Sequence, residues 1–262
     1  MNTQLSGKAA IVTGAGGGIG RAIASALARA GAAVGIADLN LAGANATAEA
    51  IRSEGGTAAA WQADVTSEDQ VEALVRNVIA EFGGVDIMVS NAGIQQLGEI
   101  VDTTFAGWKR MLATHLDGAF LMTRACLRHM YASDRGGAII YLGSVHSKEA
   151  SRLKGPYVVA KHGVLGLCRA VAKEGGRHGV RANVICPGFV MTDMVTQQFA
   201  TLAKDLGIAE DEVVARLIEA TTVDGELTLP SDVADVAVFL AAFPTMALTG
   251  QSIVVSHGWH MN

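Results

Sequence analysis

The sequence predicts an α/β fold: one domain, residues 1–262, built on a mostly parallel seven-stranded sheet with helices on both faces. Two observations predict it. Short runs rich in β-branched residues and alanine alternate with longer Ala-rich helical runs along the chain. Half of the 262 residues are hydrophobic and 17% are charged, which suits one large core. So little polar surface also leaves helices apolar on a second face, implying burial against a neighbouring subunit and hence a homo-oligomer.

Taken in order, "KAAIVTG" reads as the first strand and leads into a helix from about Gly18 to Ala30. "AAVGIAD" is the second, followed by a helix through Ile51, and "TAAAWQAD" is the third. The helix in "SEDQVEALVRNVIAEF" comes next, with Ser67 and Gln70 at the spacing of a capping box. "VDIMVSNAG", "GGAIIYLGS" and "VRANVICPG" supply the fourth to sixth strands, and "SIVVS" closes the series. A helix starting near Pro156 follows the fifth strand. After the sixth, the interval from Met191 to Thr222 reads as an inserted pair of helices, a substrate lid.

Several classes are excluded. The uncharged stretch from Val236 to Val255 is interrupted by Pro244, Gly250 and Gln251, so it reads as helix, turn and strand rather than a membrane span. A net charge of −5 with scattered basic residues lacks the cationic face that nucleic acid requires. Cys126, Cys168 and Cys186 are odd in number and set among apolar residues, the pattern of reduced thiols. With no apolar leader at the start, the cytoplasm is the expected location. The terminal "HGWHMN" reads as a packing tail at a subunit interface, because its two histidines are expected to have no carboxylate or cysteine partner nearby; no metal is expected.

"TGAGGGIG" follows the first strand and opens the first helix, where glycines let the backbone approach a pyrophosphate resting on the helix N-terminus. Asp38 ends the second strand, 18 positions after Gly20. An acid there accepts hydrogen bonds from an adenosine ribose and repels a 2′-phosphate, so NAD is the expected cofactor. Tyr157 and Lys161 are four apart and share a helix face. The expectation is that the ammonium lowers the phenol pKa and fits it for acid/base work. Ser144 would steady charge on the substrate oxygen.

These stretches resemble the short-chain dehydrogenase/reductase family along essentially the whole chain. The matching residues are "TGAGGGIG" (Gly14, Gly18, Ile19, Gly20), Asp64 and Val65, "NAG" at Asn91 to Gly93, Ser144, "YVVAK" and "PGFVMT". The resemblance implies a doubly wound Rossmann sheet of order 3-2-1-4-5-6-7 and a homotetramer. It also implies adenine contacts from Asp64 and Val65, and a cleft framed by Asn91. Val190 and Thr192 would contact the nicotinamide, and Lys161 its ribose. One departure stands out: "HLDGAF" puts His115 where the family carries an asparagine that helps hold a proton-relay water. His115 either fills that space or joins the relay and makes turnover titrate near its own pKa.

Gln95, His146, Lys154 and Gln198 could converge on a small carboxylate, with the lysine supplying charge. This set resembles a subgroup of the family that acts on a short 3-hydroxy acid. Phe189 and Trp259 would then limit the alkyl end, although that subgroup often has tryptophan where Phe189 stands. A polyol, sugar or 3-oxoacyl thioester is the alternative substrate.

Overall fold

The computed structural model describes residues 5–196 and 198–261. Seven strands run β1 Ala9–Thr13, β2 Ala33–Asp38, β3 Thr57–Gln62, β4 Ile87–Ser90, β5 Gly137–Leu142, β6 Val180–Pro187 and β7 Ser252–Val255. They form one sheet in the order β3-β2-β1-β4-β5-β6-β7, and every neighbouring pair is parallel. Helices α1 Gly18–Arg29, α2 Leu41–Ser53, α3 Glu68–Phe82, α4 Phe105–Leu112, α5 Gly118–Ser133 and α6 Gly155–Gly175 connect the first six. Between β6 and β7 lie α7 Asp193–Thr196, α8 Phe199–Leu206, α9 Val213–Thr221 and α10 Pro230–Ala242.

The alternation of side chains along β1 explains the two layers. Ala10 and Val12 enter a core shared with α1, α2 and α10, while Ile11 enters the opposite core, shared with α3, α5 and α6. Because both faces are covered, the strands read as continuous apolar runs. β6 is buried along its whole length. A third, smaller cluster joins α8 and α9 through Ala203, Val213 and Leu217, with Phe189 and Phe199 packed against it. The inserted pair of helices is therefore present, with a short turn of helix, α7, ahead of it.

One local expectation is corrected. Ser67 does start α3, but its side chain makes no capping hydrogen bond. Gln70 turns instead to the preceding loop, where its Oε1 accepts from the Asp64 N–H at 2.9 Å. The capping box is thus replaced by a tie across the mouth of β3. Between α4 and α5 the chain widens into a π-helical turn, Ala113–Asp117, which carries His115. Insertions of this kind re-aim a side chain at a functional site. Among the described residues, no helix is long and apolar enough to cross a membrane.

Candidate active site

Strand order reverses between β1 and β4, and in open α/β sheets ligands bind in the crevice that this reversal opens. A cavity of about 650 Å³ lies there. Gly14, Gly18, Ile19, Gly20, Asp38, Asp64, Val65, Asn91, Val190 and Thr192 all line it, together with His115, Ser144, Tyr157 and Lys161. The structure therefore brings to one cavity every residue assigned to cofactor and chemistry.

The glycine turn is sterically obligatory. Gly14 has φ of 63°, and a Cβ there would sit 2.8 Å from the Ala92 Cα. A Cβ on Gly20 would overlap the Gly14 carbonyl oxygen, so α1 could not pack down on the loop. α1 has Gly17 as its N-cap, with neither a side-chain cap nor an acidic residue in its first turn. Its first N–H groups are thus available to an anion. Asn91 locks β4 to β1 by donating to the carbonyls of Thr13 and Gly14, both at 2.9 Å. Asp38 accepts from the Gly16 N–H at 2.8 Å and from the Asn40 N–H at 2.9 Å. These features fit a dinucleotide: backbone donors for the pyrophosphate, an acid at the ribose end, and close backbone approach where side chains would intrude.

At the other end, Tyr157 lies between two imidazoles. Its ring meets His115 edge-on at 5.4 Å and His146 at 6.1 Å. Lys161 is buried, donates from Nζ to the Leu142 carbonyl at 2.6 Å, and stands 5.4 Å from the Tyr157 ring centre. The expected lowering of the phenol pKa is corrected. Burial pushes Tyr157 up to about 12, against a hydrogen bond from Ser144 that pulls it down. Burial also brings Lys161 down to about 8. Desolvation outweighs mutual stabilisation in the chain's own residues.

His115 is settled by its surroundings. Its Nε2 lies 2.7 Å from the Ile94 carbonyl oxygen and 3.1 Å from the Ile94 nitrogen, and a Cβ on Gly93 would strike its ring. Burial, then the charge of Lys161, hold its pKa at about 3. The reading in which His115 titrates near neutrality is therefore corrected: the ring stays neutral and spans Ile94 and Tyr157.

The substrate residues fall into two groups. Lys154 and His146 are both buried, with Nζ and Nε2 3.3 Å apart. Lys154 also lies 4.7 Å over the Phe189 ring, which stacks on Trp259 at 4.9 Å, and Trp259 meets His146 edge-on at 5.4 Å. Gln95 and Gln198 form the second group. They line a second cavity of about 550 Å³ with Gln96, Leu97 and Thr201, joined to the first through Gly93 and Ile94. Neither Lys154 nor His146 lines either of the two cavities. Gln95 Oε1 is buried without a hydrogen-bond partner among the described residues.

Sequence reasoning missed the Leu142 carbonyl that anchors Lys161, and Leu39 and Pro230 in the cavity wall. A backbone carbonyl has no side-chain signature, so only topology could have revealed it. It also missed the partners of the terminal histidines. His257 Nδ1 lies 2.7 Å from Asp224 and His260 Nδ1 lies 3.2 Å from Glu149, carboxylates distant in sequence.

Comparison with known proteins agrees with this geometry. The family profile described as Enoyl-(Acyl carrier protein) reductase matches residues 14–260. A D-beta-hydroxybutyrate dehydrogenase of Cupriavidus necator is 36% identical over 257 residues, covering 98% of this chain and 99% of the relative. A (3R)-3-hydroxyacyl-CoA dehydrogenase of Mus musculus is 37% identical over 266 residues, covering 98% of each. A crystal structure of a "putative short-chain alcohol dehydrogenase" from Sinorhizobium meliloti 1021 superposes with a TM-score of 0.90 at 34% identity, covering 99% of this chain and 98% of that one. With its strand order, its glycine turn and its Ser, Tyr and Lys on one cavity, the chain belongs to the short-chain dehydrogenase/reductase family of oxidoreductases.

Proposed function

We propose that the chain is an NAD-dependent dehydrogenase interconverting (R)-3-hydroxybutyrate and acetoacetate. The observation that carries this reading is Lys154, a buried cation that forms no ion pair among the described residues and stands beside His146, itself edge-on to Tyr157. A buried charge without a partner is costly, so it marks a place for an anion. A 3-hydroxy acid separates carboxylate and reacting carbon by a single methylene, which matches a cation one ring away from the phenol. The Phe189–Trp259 stack closes this side against longer chains.

In either direction the proton passes through Tyr157 Oη. At about 12, the phenol holds its proton and is set to give it to a ketone. Ser144 donates to the same substrate oxygen as charge develops. Lys161, fixed on the Leu142 carbonyl, keeps a positive charge beside the ring at neutral pH. A bound nicotinamide dinucleotide would supply the hydride to the ketone when reduced, and would accept it from the alcohol and add a positive charge when oxidised. Gly14, Gly18, Ile19 and Gly20 would hold its pyrophosphate and Asp38 its adenosine ribose. Asp64 and Val65 would hold the adenine, with Asn91, Val190, Thr192 and Lys161 at the nicotinamide half. NAD is favoured over NADP because Asp38 repels a 2′-phosphate, and Lys161 is the sole Lys or Arg among the described residues lining the cavity. Ile100, Val101 and Phe105 stay exposed, which supports association of the chain with further copies, read here as a homotetramer.

The test is absorbance at 340 nm (the NADH band) with 3-hydroxybutyrate and its methyl ester. The acid alone is expected to turn over well, and Tyr157→Phe should lower its rate about 10²–10⁴-fold. Equal turnover of acid and ester would remove the reading. A second reading, a polyol, sugar or acyl thioester as substrate, is favoured by the second cavity, whose described side chains are amides, a hydroxyl and aliphatics without charge. Lys154→Ala separates the two, since a neutral substrate is indifferent to its loss.

A further inference from the structure

Arg21 sits in the first turn of α1, exposed, and does not line the cavity. Its guanidinium nevertheless reaches back to the glycine turn. Nη2 donates to the Gly16 carbonyl at 2.6 Å, and Nε donates to Thr47 Oγ1 at 3.1 Å. Thr47 is fully buried in α2 and donates in turn to the Gly43 carbonyl at 3.1 Å. On its other side, Gly16 gives its N–H to Asp38 Oδ2 at 2.8 Å.

The space around this junction is closed. A Cβ on Gly16 would lie 2.9 Å from Asp38 Oδ2, and one on Gly43 would lie 3.0 Å from the Gly16 carbonyl oxygen. Gly16 is thus held from both ends: its N–H by the acid that closes β2, its carbonyl by a fork anchored on α2. An exposed arginine has cheaper choices than two bonds to its own chain, since water can satisfy it fully. What the pair of bonds does is fix the turn against which Asp38 is oriented.

We propose that Arg21 is a positioning residue for dinucleotide binding: it clamps the Gly16 carbonyl to α2 and so sets both the Asp38 carboxylate and the uncapped start of α1. The inference rests on the NAD reading above. It places Arg21 behind the ribose-binding acid, not in contact with the ligand. Loss of the clamp should therefore weaken binding and blur the choice between NADH and NADPH, while leaving the chemistry at Tyr157 alone.

The experiment is a titration of protein with NADH and NADPH by nucleotide fluorescence, beside steady-state kinetics and thermal melting. Arg21→Met is expected to raise the NADH Kd about three- to tenfold and to narrow the NADH preference. At saturating cofactor, kcat should stay within about twofold, since no interaction made only in the transition state is removed. Arg21→Lys keeps a single donor and should fall between wild type and Met. Thr47→Val removes the anchor of the fork and should shift the Kd in the same direction by less. If Arg21→Met does not fold, the Lys and Val variants carry the same comparison. Unchanged NADH affinity in these variants, even with a lower melting temperature, overturns the clamp. Loss of NADPH binding alone would make Arg21 a phosphate ligand and also overturn it. A wild type that binds neither nucleotide sinks the cofactor reading and the clamp with it.

Discussion

Lys154 Nζ and His146 Nε2 lie 3.3 Å apart in a buried setting, and the two cannot both be cations there. Burial, reinforced by the neighbouring charge, holds His146 at about 4, and burial brings Lys154 to about 8. At neutral pH the pair therefore carries a single charge, on the lysine, with a neutral imidazole beside it.

Removing that charge should trade activity for stability. A shift from 10.5 to about 8 corresponds to a destabilisation on the order of 3 kcal/mol at neutral pH. Lys154→Met fills the same apolar surroundings without it. Calorimetry is expected to show a melting temperature about 2–6 °C higher, while kcat/KM for the acid falls at least about tenfold. A variant that loses stability and keeps acid turnover would show that Lys154 is a packing residue.

The same pKa sets a pH limit. On the proposed function, Lys154 would hold a carboxylate only in its charged form, which predominates below about 8 and declines above it. KM for the acid should therefore climb above about pH 8, approaching tenfold per unit, while KM for the methyl ester stays level. The stability gain of Lys154→Met follows the opposite course. The folded pKa lies below the unfolded 10.5, so the cost of the cation is full below about 8 and fades as pH rises toward 10.5. Melting temperatures across pH 7 to 11 test the second half.

His115 should be silent in the pH profile. Held at about 3, it is neutral throughout the working range. His115→Asn is expected to alter the rate without moving any inflection between about pH 5 and 8. An inflection lost on this substitution would show that the ring titrates during turnover.

Gly20→Ala probes the contact between the glycine turn and α1. A Cβ there overlaps the Gly14 carbonyl and comes 2.5 Å from Asn91 Nδ2. The loop and the β1–β4 tie must both shift, at a cost of about 1–3 kcal/mol. Urea unfolding should show that loss, and fluorescence titration should show NADH binding weakened by at least about tenfold. Wild-type affinity would mean the turn yields freely.

Much of this was legible before folding. The alternation of strand and helix, the glycine turn with Asp38 at its interval, and the four-residue step from Tyr157 to Lys161 are local or periodic features. Local backbone rules alone place them. Other residues escaped because their partners are remote in sequence. Gln70 left its expected cap for the Asp64 N–H, a better-placed donor across the loop. Lys161 found the Leu142 carbonyl 19 positions away. Gln95 and Gln198, 103 positions apart, line one cavity, which no local pattern shows.

The sequence by itself determined the alternation of seven strands with helices and the glycine turn, since periodicity and glycine placement are written in the chain; the strand order and the crevice roles of Asp64, Val65, Asn91, Val190 and Thr192 came from the family resemblance of its motifs. Only the tertiary structure decided the charge states. It raised Tyr157, silenced His115 and left Lys154 a buried cation with no ion pair among the described residues. The reason is that a pKa depends on how much water the packed chain removes from a group, and no residue carries that in its name.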